Sequence, residues 1–183
     1  MTDKDKQFKI TLKKGSVLSQ KEIEQINIAL QREFTVSLPL KEQLKNRLFF
    51  LLKNEEDIIA FGGLLKVTPV YFNGEEFSLL GFVNVVSNKK GKGYGKLVVI
   101  AMRNYLYEHE ITGIGFTMPK NQGFYEKCGF TFTTNSTKRF IAKNGQSNED
   151  GQIIFYFDSK DHFMKKVLSH PKKNVILPEP NLW

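Results

Sequence analysis

The segment from Phe82 to Glu110, FVNVVSNKKGKGYGKLVVIAMRNYLYEHE, constrains the fold more than any other. Phe82–Val86 is a short, valine-rich run of the kind found in a central strand. Lys89 to Gly95 then reads KKGKGYG, with glycines alternating with Lys92 and Tyr94. The residues from Gly95 to Glu110 have the pattern of an amphipathic helix. A backbone without Cβ atoms can adopt positive φ and approach an anion closely. The start of a helix offers the same anion unpaired N–H groups and a positive dipole end. Lys89, Lys90, Lys92 and Lys96 add formal charge, so the segment predicts an anion cradle between a strand and a helix.

Spacing narrows the kind of anion. A nucleoside-triphosphate loop needs G-x-x-x-x-G-K-[ST]. Here Gly91 to Gly95 is one residue short, and Leu97 stands where the hydroxyl should be. A dinucleotide fingerprint needs G-x-G-x-x-G, and Lys96 occupies its third glycine. The pattern that fits is basic-x-x-G-x-G, from Lys90 through Gly93 to Gly95. It resembles the pyrophosphate loop of the GNAT superfamily of N-acetyltransferases. About thirty residues on, GFYEKCGF (Gly123 to Phe130) is similar to that family's second signature, (F/L)-Y-E-x-x-G-F. The ordered resemblance covers roughly residues 50 to 158.

The remaining elements follow from local patterns. Phe8–Leu12 alternates as a strand closed by Gly15, and Ser19 with Glu22 forms a capping box for a helix to about Phe34. Pro39 predicts a second short helix with Leu40, Leu44 and Leu48 on one face. Phe49–Lys53 and Ile58–Val67 read as a hairpin, with Gly62-Gly63 marking a bulge or a close backbone approach and Pro69 an edge or strand end. Asn73-Gly74 is a turn into the strand Phe77–Val86. The following helix is expected to bury Leu97, Ile100, Ala101 and Leu106. Strand Gly113–Met118, reached through a helical crossover, is expected to run parallel to Phe82–Val86. A short helix over Asn121–Lys127 stops at Gly129. Lys138–Lys143 and Gln152–Asp158 read as a final hairpin, and Asp161–Leu168 as a helix. The tail from His170 has three prolines and little periodicity. The expected fold class is α/β (α+β): one domain over residues 1–183, with a mixed, mostly antiparallel sheet and helices on both faces.

Composition supplies limits. The 183 residues can bury a substantial core, and no apolar run is long enough to cross a bilayer. The N-terminus MTDKDKQFKI lacks the apolar core of a secretion signal, and Cys128 is the single cysteine, which fits a reducing cytoplasm. Three histidines and one cysteine have no metal-ligand spacing, so no metal is expected. The net charge of +8 favours anionic ligands without choosing among them. The lysines are scattered without an aromatic platform, so a nucleic-acid partner is not expected.

The GNAT resemblance implies a parallel strand pair that splays at its carboxyl ends and admits acetyl-CoA. It implies that Lys90, Gly91, Lys92, Gly93, Tyr94, Gly95 and Lys96 hold the pyrophosphate, and that the backbone of Val85 and Val86 pairs with the pantetheine arm. It also implies that Tyr125 is the general acid. A tyrosine pKa of about 10 lies near that of an alkyl thiol, so sharing a proton with a departing thiolate is feasible. Cys128 reads as a buried small hydrophobe. No general base stands out. The acidic loop before IIFYF and the terminal tryptophan are similar to the aminoglycoside 2'-N-acetyltransferase branch. By that comparison Asp150 and Trp183 are candidate acceptor contacts, although the acidic residue that enters that branch's cofactor strand is replaced here by Gly81 or Phe82. The expected activity is N-acetylation of a small primary amine. Alternatives are acetylation of a protein N-terminus or lysine, and a non-catalytic CoA-binding regulator. A homodimer stays open.

Overall fold

The computed structural model describes residues 8–39, 41–134, 136–147 and 152–178. Among them nine strands form one mixed, mostly antiparallel sheet in the order β1-β2-β3-β4-β5-β8-β6, with β9 pairing β3 and β7. These strands are β1 (Phe8–Lys14), β2 (Arg47–Asn54), β3 (Asp57–Phe72), β4 (Glu75–Ser87), β5 (Gly113–Thr117), β6 (Thr131–Thr133), β7 (Phe140–Ala142), β8 (Ile153–Phe157) and β9 (Val175–Leu177). The helices are α1 (Gln20–Phe34), α2 (Tyr94–Glu108), α3 (Gln122–Glu126) and α4 (Phe163–Ser169). The chain divides into two compact units, Met1–Leu64 with Val83–Met102, and Leu65–Phe82 with Arg103–Trp183.

In the first unit, β1 lies antiparallel to β2, with Phe8 opposite Asn54 and Lys14 opposite Leu48. The predicted capping box starts α1: the Glu22 N–H donates to Ser19 Oγ at 3.2 Å, and the Ser19 N–H donates to Glu22 Oε2 at 2.8 Å. Thr35, in the left-handed region at φ 57, ends the helix. Ile26, Ala29 and Leu30 pack against Phe49, Leu51, Phe61 and Val86. Each fully buried leucine or isoleucine contributes roughly 1.5–3 kcal/mol. Phe61 faces α1, so its neighbour Gly62 faces the other side of the strand. There a Cβ on Gly62 would lie 2.7 Å from Met102 Sδ and 3.2 Å from Val98 Cγ1 of α2. The glycine pair is thus the close approach that the sequence suggested, and helices cover both faces.

Glu22 does more than cap. Its carboxylate, almost wholly buried, also accepts from Lys13 Nζ at 2.8 Å and Lys53 Nζ at 2.6 Å. Burial alone would raise its pKa, but the hydrogen bonds from Lys13, Lys53 and the Ser19 N–H outweigh that and hold it near 2, below the ordinary 4.5. A depressed folded-state pKa contributes stability that is complete above the unfolded value and lost as pH falls through the folded one. Glu22 therefore contributes on the order of 3 kcal/mol at neutral pH, which disappears between about pH 5 and 2. Urea unfolding is expected to show this loss in the wild type and a much flatter acid limb in Glu22→Gln. Equal acid limbs would assign the pH dependence to other carboxylates.

In the second unit, Asn73 (φ 52) and Gly74 (φ 83) make the tight turn from β3 to β4, as two successive positive-φ positions require. β4 pairs parallel with β5 through Leu80 opposite Gly113 and Gly81 opposite Ile114. β5 pairs antiparallel with β8, which in turn pairs with β6. The core here gathers Phe72, Phe77, Ile114, Phe140, Ile154, Phe163 and Val175. Asp158 accepts from the N–H groups of Met164 and Lys165 and so opens α4.

Several expectations are corrected. The segment after Pro39 is a 3-10 helix over Lys41–Asn46, and Leu48 belongs to β2; Leu40 lies outside the described residues. β3 continues through Pro69 to Phe72. In α2 the buried residues are Val98, Val99, Met102 and Leu106, while Leu97 is exposed, because the close approach at Gly62 turns the helix onto the Val98–Met102 edge. The predicted last hairpin does not form: β7 pairs parallel with β9, and β8 inserts between β5 and β6. Three-residue strands such as β6, β7 and β9 are too short for alternation to announce them.

Candidate functional site

β4 ends in the segment on which the anion reading rests. Asn84 interrupts the strand with φ 53, the left-handed region that asparagine tolerates better than other non-glycine residues. For other L-residues that conformation costs roughly 1–2 kcal/mol. The switch of backbone region at Asn84 has no sequence signal beyond the residue type. The strand then carries Val85, half-buried, and Val86, whose side chain is buried in the α1 core.

The turn that follows is pinned from several sides within its own unit. The Asn88 N–H donates to the Ile59 carbonyl at 2.8 Å, and its side-chain amide to the Ile58 carbonyl at 2.6 Å. The Arg32 guanidinium at the end of α1 donates to Asn88 Oδ1 at 2.7 Å. Lys90 Nζ meets Glu33 Oε2 at 2.7 Å, and this contact, more than the partial burial that opposes it, holds the Glu33 carboxyl below its ordinary value. The Phe8 ring lies 4.9 Å from that of Tyr94. Gly91 (φ 73) and Gly93 (φ 78) both take the left-handed conformation. No atom lies within 4 Å of a Cβ built on either, so the backbone conformation, not crowding, demands glycine here. Leu97 N–H donates to the Gly93 carbonyl and closes the first turn of α2. Among the described residues, no protein oxygen accepts from the N–H groups of Gly93 to Lys96, and the chain makes a hydrogen-bonded turn over Lys90 and Gly91 just before them. Lys89, Lys90, Lys92 and Lys96 are exposed around them. These residues fit a phosphate ester: unspent donors, a helix N-terminus and cationic side chains.

Tyr125 belongs to the second unit, in α3. Its ring stacks on Phe155 at 3.8 Å and 16° and meets the edge of Phe130 at 6.3 Å. Phe82 touches Phe130 and Phe155 edge-on at 5.1 Å each. Gly115 makes room for this stack: a Cβ there would lie 2.0 Å from Phe155 Cζ. The turn after α3 places Gly129 at φ 84, and its carbonyl accepts from Arg103 Nε at 3.0 Å. Burial, and then the neighbouring Cys128, push the Tyr125 hydroxyl well above the ordinary tyrosine range, so it stays protonated. Cys128 itself is buried. The loop and Tyr125 thus lie in different units, while the candidate acceptor residues Asp150 and Trp183 lie outside the described residues. Among the described residues, no group of three His, Cys, Asp or Glu is placed to hold a metal ion, and no helix is long and apolar enough to cross a membrane.

Solved structures of several acyltransferases share this fold. An acyl-CoA N-acyltransferase from Pseudomonas aeruginosa superposes with a TM-score of 0.60 at 14% identity, covering 82% of this chain and 99% of the other. NAA60 from Arabidopsis thaliana in complex with acetyl-CoA gives 0.57 at 11% identity, with 81% and 98% covered. An acetyltransferase from Bacillus subtilis in complex with CoA gives 0.55 at 18% identity, with 83% and 99% covered. No curated protein matches the sequence. The chain belongs to the acetyltransferase (GNAT) family, whose model matches residues 20–130, more than half of its length. It is an acetyl-CoA-dependent acyltransferase by that membership.

Proposed function

We propose that the protein transfers an acetyl group from acetyl-CoA to the primary amine of a small-molecule acceptor by direct attack, with Tyr125 as general acid. The observation that carries this reading is the row of N–H groups from Gly93 to Lys96, unspent at the start of α2 beside left-handed Gly91 and Gly93. Acetyl-CoA supplies a thioester from which acyl transfer to an amine is downhill. Lys90, Gly91, Lys92, Gly93, Tyr94, Gly95 and Lys96 hold its pyrophosphate, the lysines by charge and the turn by its amides. The backbone of Val85 and Val86, released from regular strand geometry by Asn84, pairs with the amides of the pantetheine arm. Tyr125, protonated throughout the physiological range, donates a hydrogen bond to the leaving sulfur as charge develops on it; burial removes the pKa match with a thiol that an unshifted tyrosine would have, so the proton is shared and not handed over ahead of bond cleavage. The continuity of β3, β4 and α2, each of which has residues in both units, supports reading residues 1–183 as one domain.

Calorimetric titration tests the reading. Acetyl-CoA is expected to bind with micromolar affinity and one-to-one stoichiometry, whereas ATP and NAD show no comparable heat. Equal binding of all three would reduce the turn to a general anion site, and no binding of acetyl-CoA would remove the cosubstrate.

A further inference from the structure

The chain has four arginines, at positions 32, 47, 103 and 139. Three are spoken for. Arg32 donates to Glu33 and Asn88, Arg103 to the Gly129 carbonyl, and Arg139 to the carbonyls of Val167, His170 and Lys173. Arg47, the first residue of β2, is the exception. Its Nε is buried and has no hydrogen-bond partner, the one such buried side-chain atom among the described residues. Among the described residues, no carboxylate or carbonyl meets the rest of its guanidinium either. Burial without compensation lowers the Arg47 pKa, which expresses the same cost. Buried donors are nearly always paired, and an uncompensated, partly desolvated cation is costly enough to need a reason.

Position within the first unit suggests the reason. Arg47 adjoins Leu48, whose carbonyl lies 3.6 Å from a Cβ built on Gly63. The same Cβ would lie 2.7 Å from Val83 Cγ2, and Val83 precedes Asn84, where β4 leaves regular strand geometry. Arg47 therefore starts the strand whose first carbonyls stand one strand away from the break in β4. A guanidinium matches a carboxylate or phosphate through two parallel N–H···O bonds, and a desolvated one gains most from such a partner.

We propose that Arg47 recognises an oxyanion on the acceptor, so that the substrate is an amine that also carries a carboxylate or a phosphate. This names the substrate class of the acetyltransferase reading and rests on it. It also turns the acceptor away from polycations. Arg47 is a specificity residue; it takes no part in proton transfer.

Two measurements test it. In spectra of 15N-arginine-labelled protein, the Nε–H signal lost in Arg47→Met is expected to shift saturably with acetate or inorganic phosphate, while those of Arg103 and Arg139 stay put. The anion that shifts it at lower concentration names the carboxylate or phosphate source. CoA release from acetyl-CoA is then followed with matched acceptors: an amino acid against its methyl ester, and an amino-sugar phosphate against the amino sugar. One charged member is expected to exceed its neutral partner at least 100-fold in kcat/KM, and Arg47→Met to erase that ratio while leaving acetyl-CoA affinity unchanged. Arg47→Met is further expected to raise the melting temperature, since it removes a partly desolvated charge whose buried Nε has no partner, whereas a structural arginine would lower it. An Nε–H signal indifferent to both anions, neutral or polycationic amines used as well as anionic ones, or a destabilised Arg47→Met would each overturn the proposal. Failure of acetyl-CoA to bind at all would instead sink the acetyltransferase reading, and the anion titration would still report on Arg47 alone.

Discussion

Tyr125→Phe is expected to lower kcat by about 10²-fold or more, the usual scale for loss of a positioned general acid. The KM for acetyl-CoA should stay within a factor of about three, because the interaction removed is one made only as the sulfur departs. The fold should survive, since the stack on Phe155 and the edge contact with Phe130 involve the ring and not the hydroxyl. Tyr125→Ala would remove the stack as well and is expected to melt earlier. The pH dependence carries a second signature. With its hydroxyl pushed above the ordinary tyrosine range by burial, Tyr125 remains a donor to the top of the accessible pH range. The wild-type kcat profile should therefore rise with deprotonation of the amine and show no alkaline fall below about pH 10. Turnover of Tyr125→Phe within twofold of wild type would assign the proton to water and leave Tyr125 a core residue.

What the sequence disclosed depended on how local the determinant was. The capping box of Ser19 and Glu22, the Asn73-Gly74 turn, and the glycines at 91 and 93 each act within a few residues, and each occupies the predicted conformation. The parallel pairing of β4 with β5 followed from a helical crossover, which is also a short-range inference. Non-local partners were not legible. β7 and β9 are three residues each and are joined across more than thirty residues, so no periodicity links them. The rotation of α2 that exposes Leu97 depends on where Gly62 lets the helix approach, a fact about the neighbouring strand. The same holds for the site. The turn was visible because its glycines and lysines are contiguous. Asn84 was hidden because a left-handed residue inside a strand looks like any polar interruption, and Arg47 because only burial distinguishes an unpaired arginine from a solvated one.

Gly93→Val is expected to weaken acetyl-CoA binding at least 100-fold, and a second glycine supplies the control that makes the result interpretable. Gly93 (φ 78) and Gly74 (φ 83) share nearly the same left-handed conformation, and neither has an atom within 4 Å of a built Cβ. A β-branched side chain is strained at such a φ by roughly 1–2 kcal/mol, so both substitutions should cost similar stability. They differ in what surrounds the strain. At Gly74 the residues form a hairpin turn whose backbone bonds serve the fold alone. At Gly93 the conformation sets the direction of the N–H groups that lead into α2, and a valine either rotates them or places its methyl groups over them. Two or three lost amide–phosphate hydrogen bonds, at roughly 1.5–3 kcal/mol each for a charged acceptor, account for the expected factor of 100 or more. Calorimetry on the two variants thus separates strain from recognition. Loss of affinity in Gly93→Val but not in Gly74→Val places the phosphate at the turn. Equal, small effects in both would mean that the turn bears the strain without the ligand, and the cofactor site would have to be sought elsewhere in the fold.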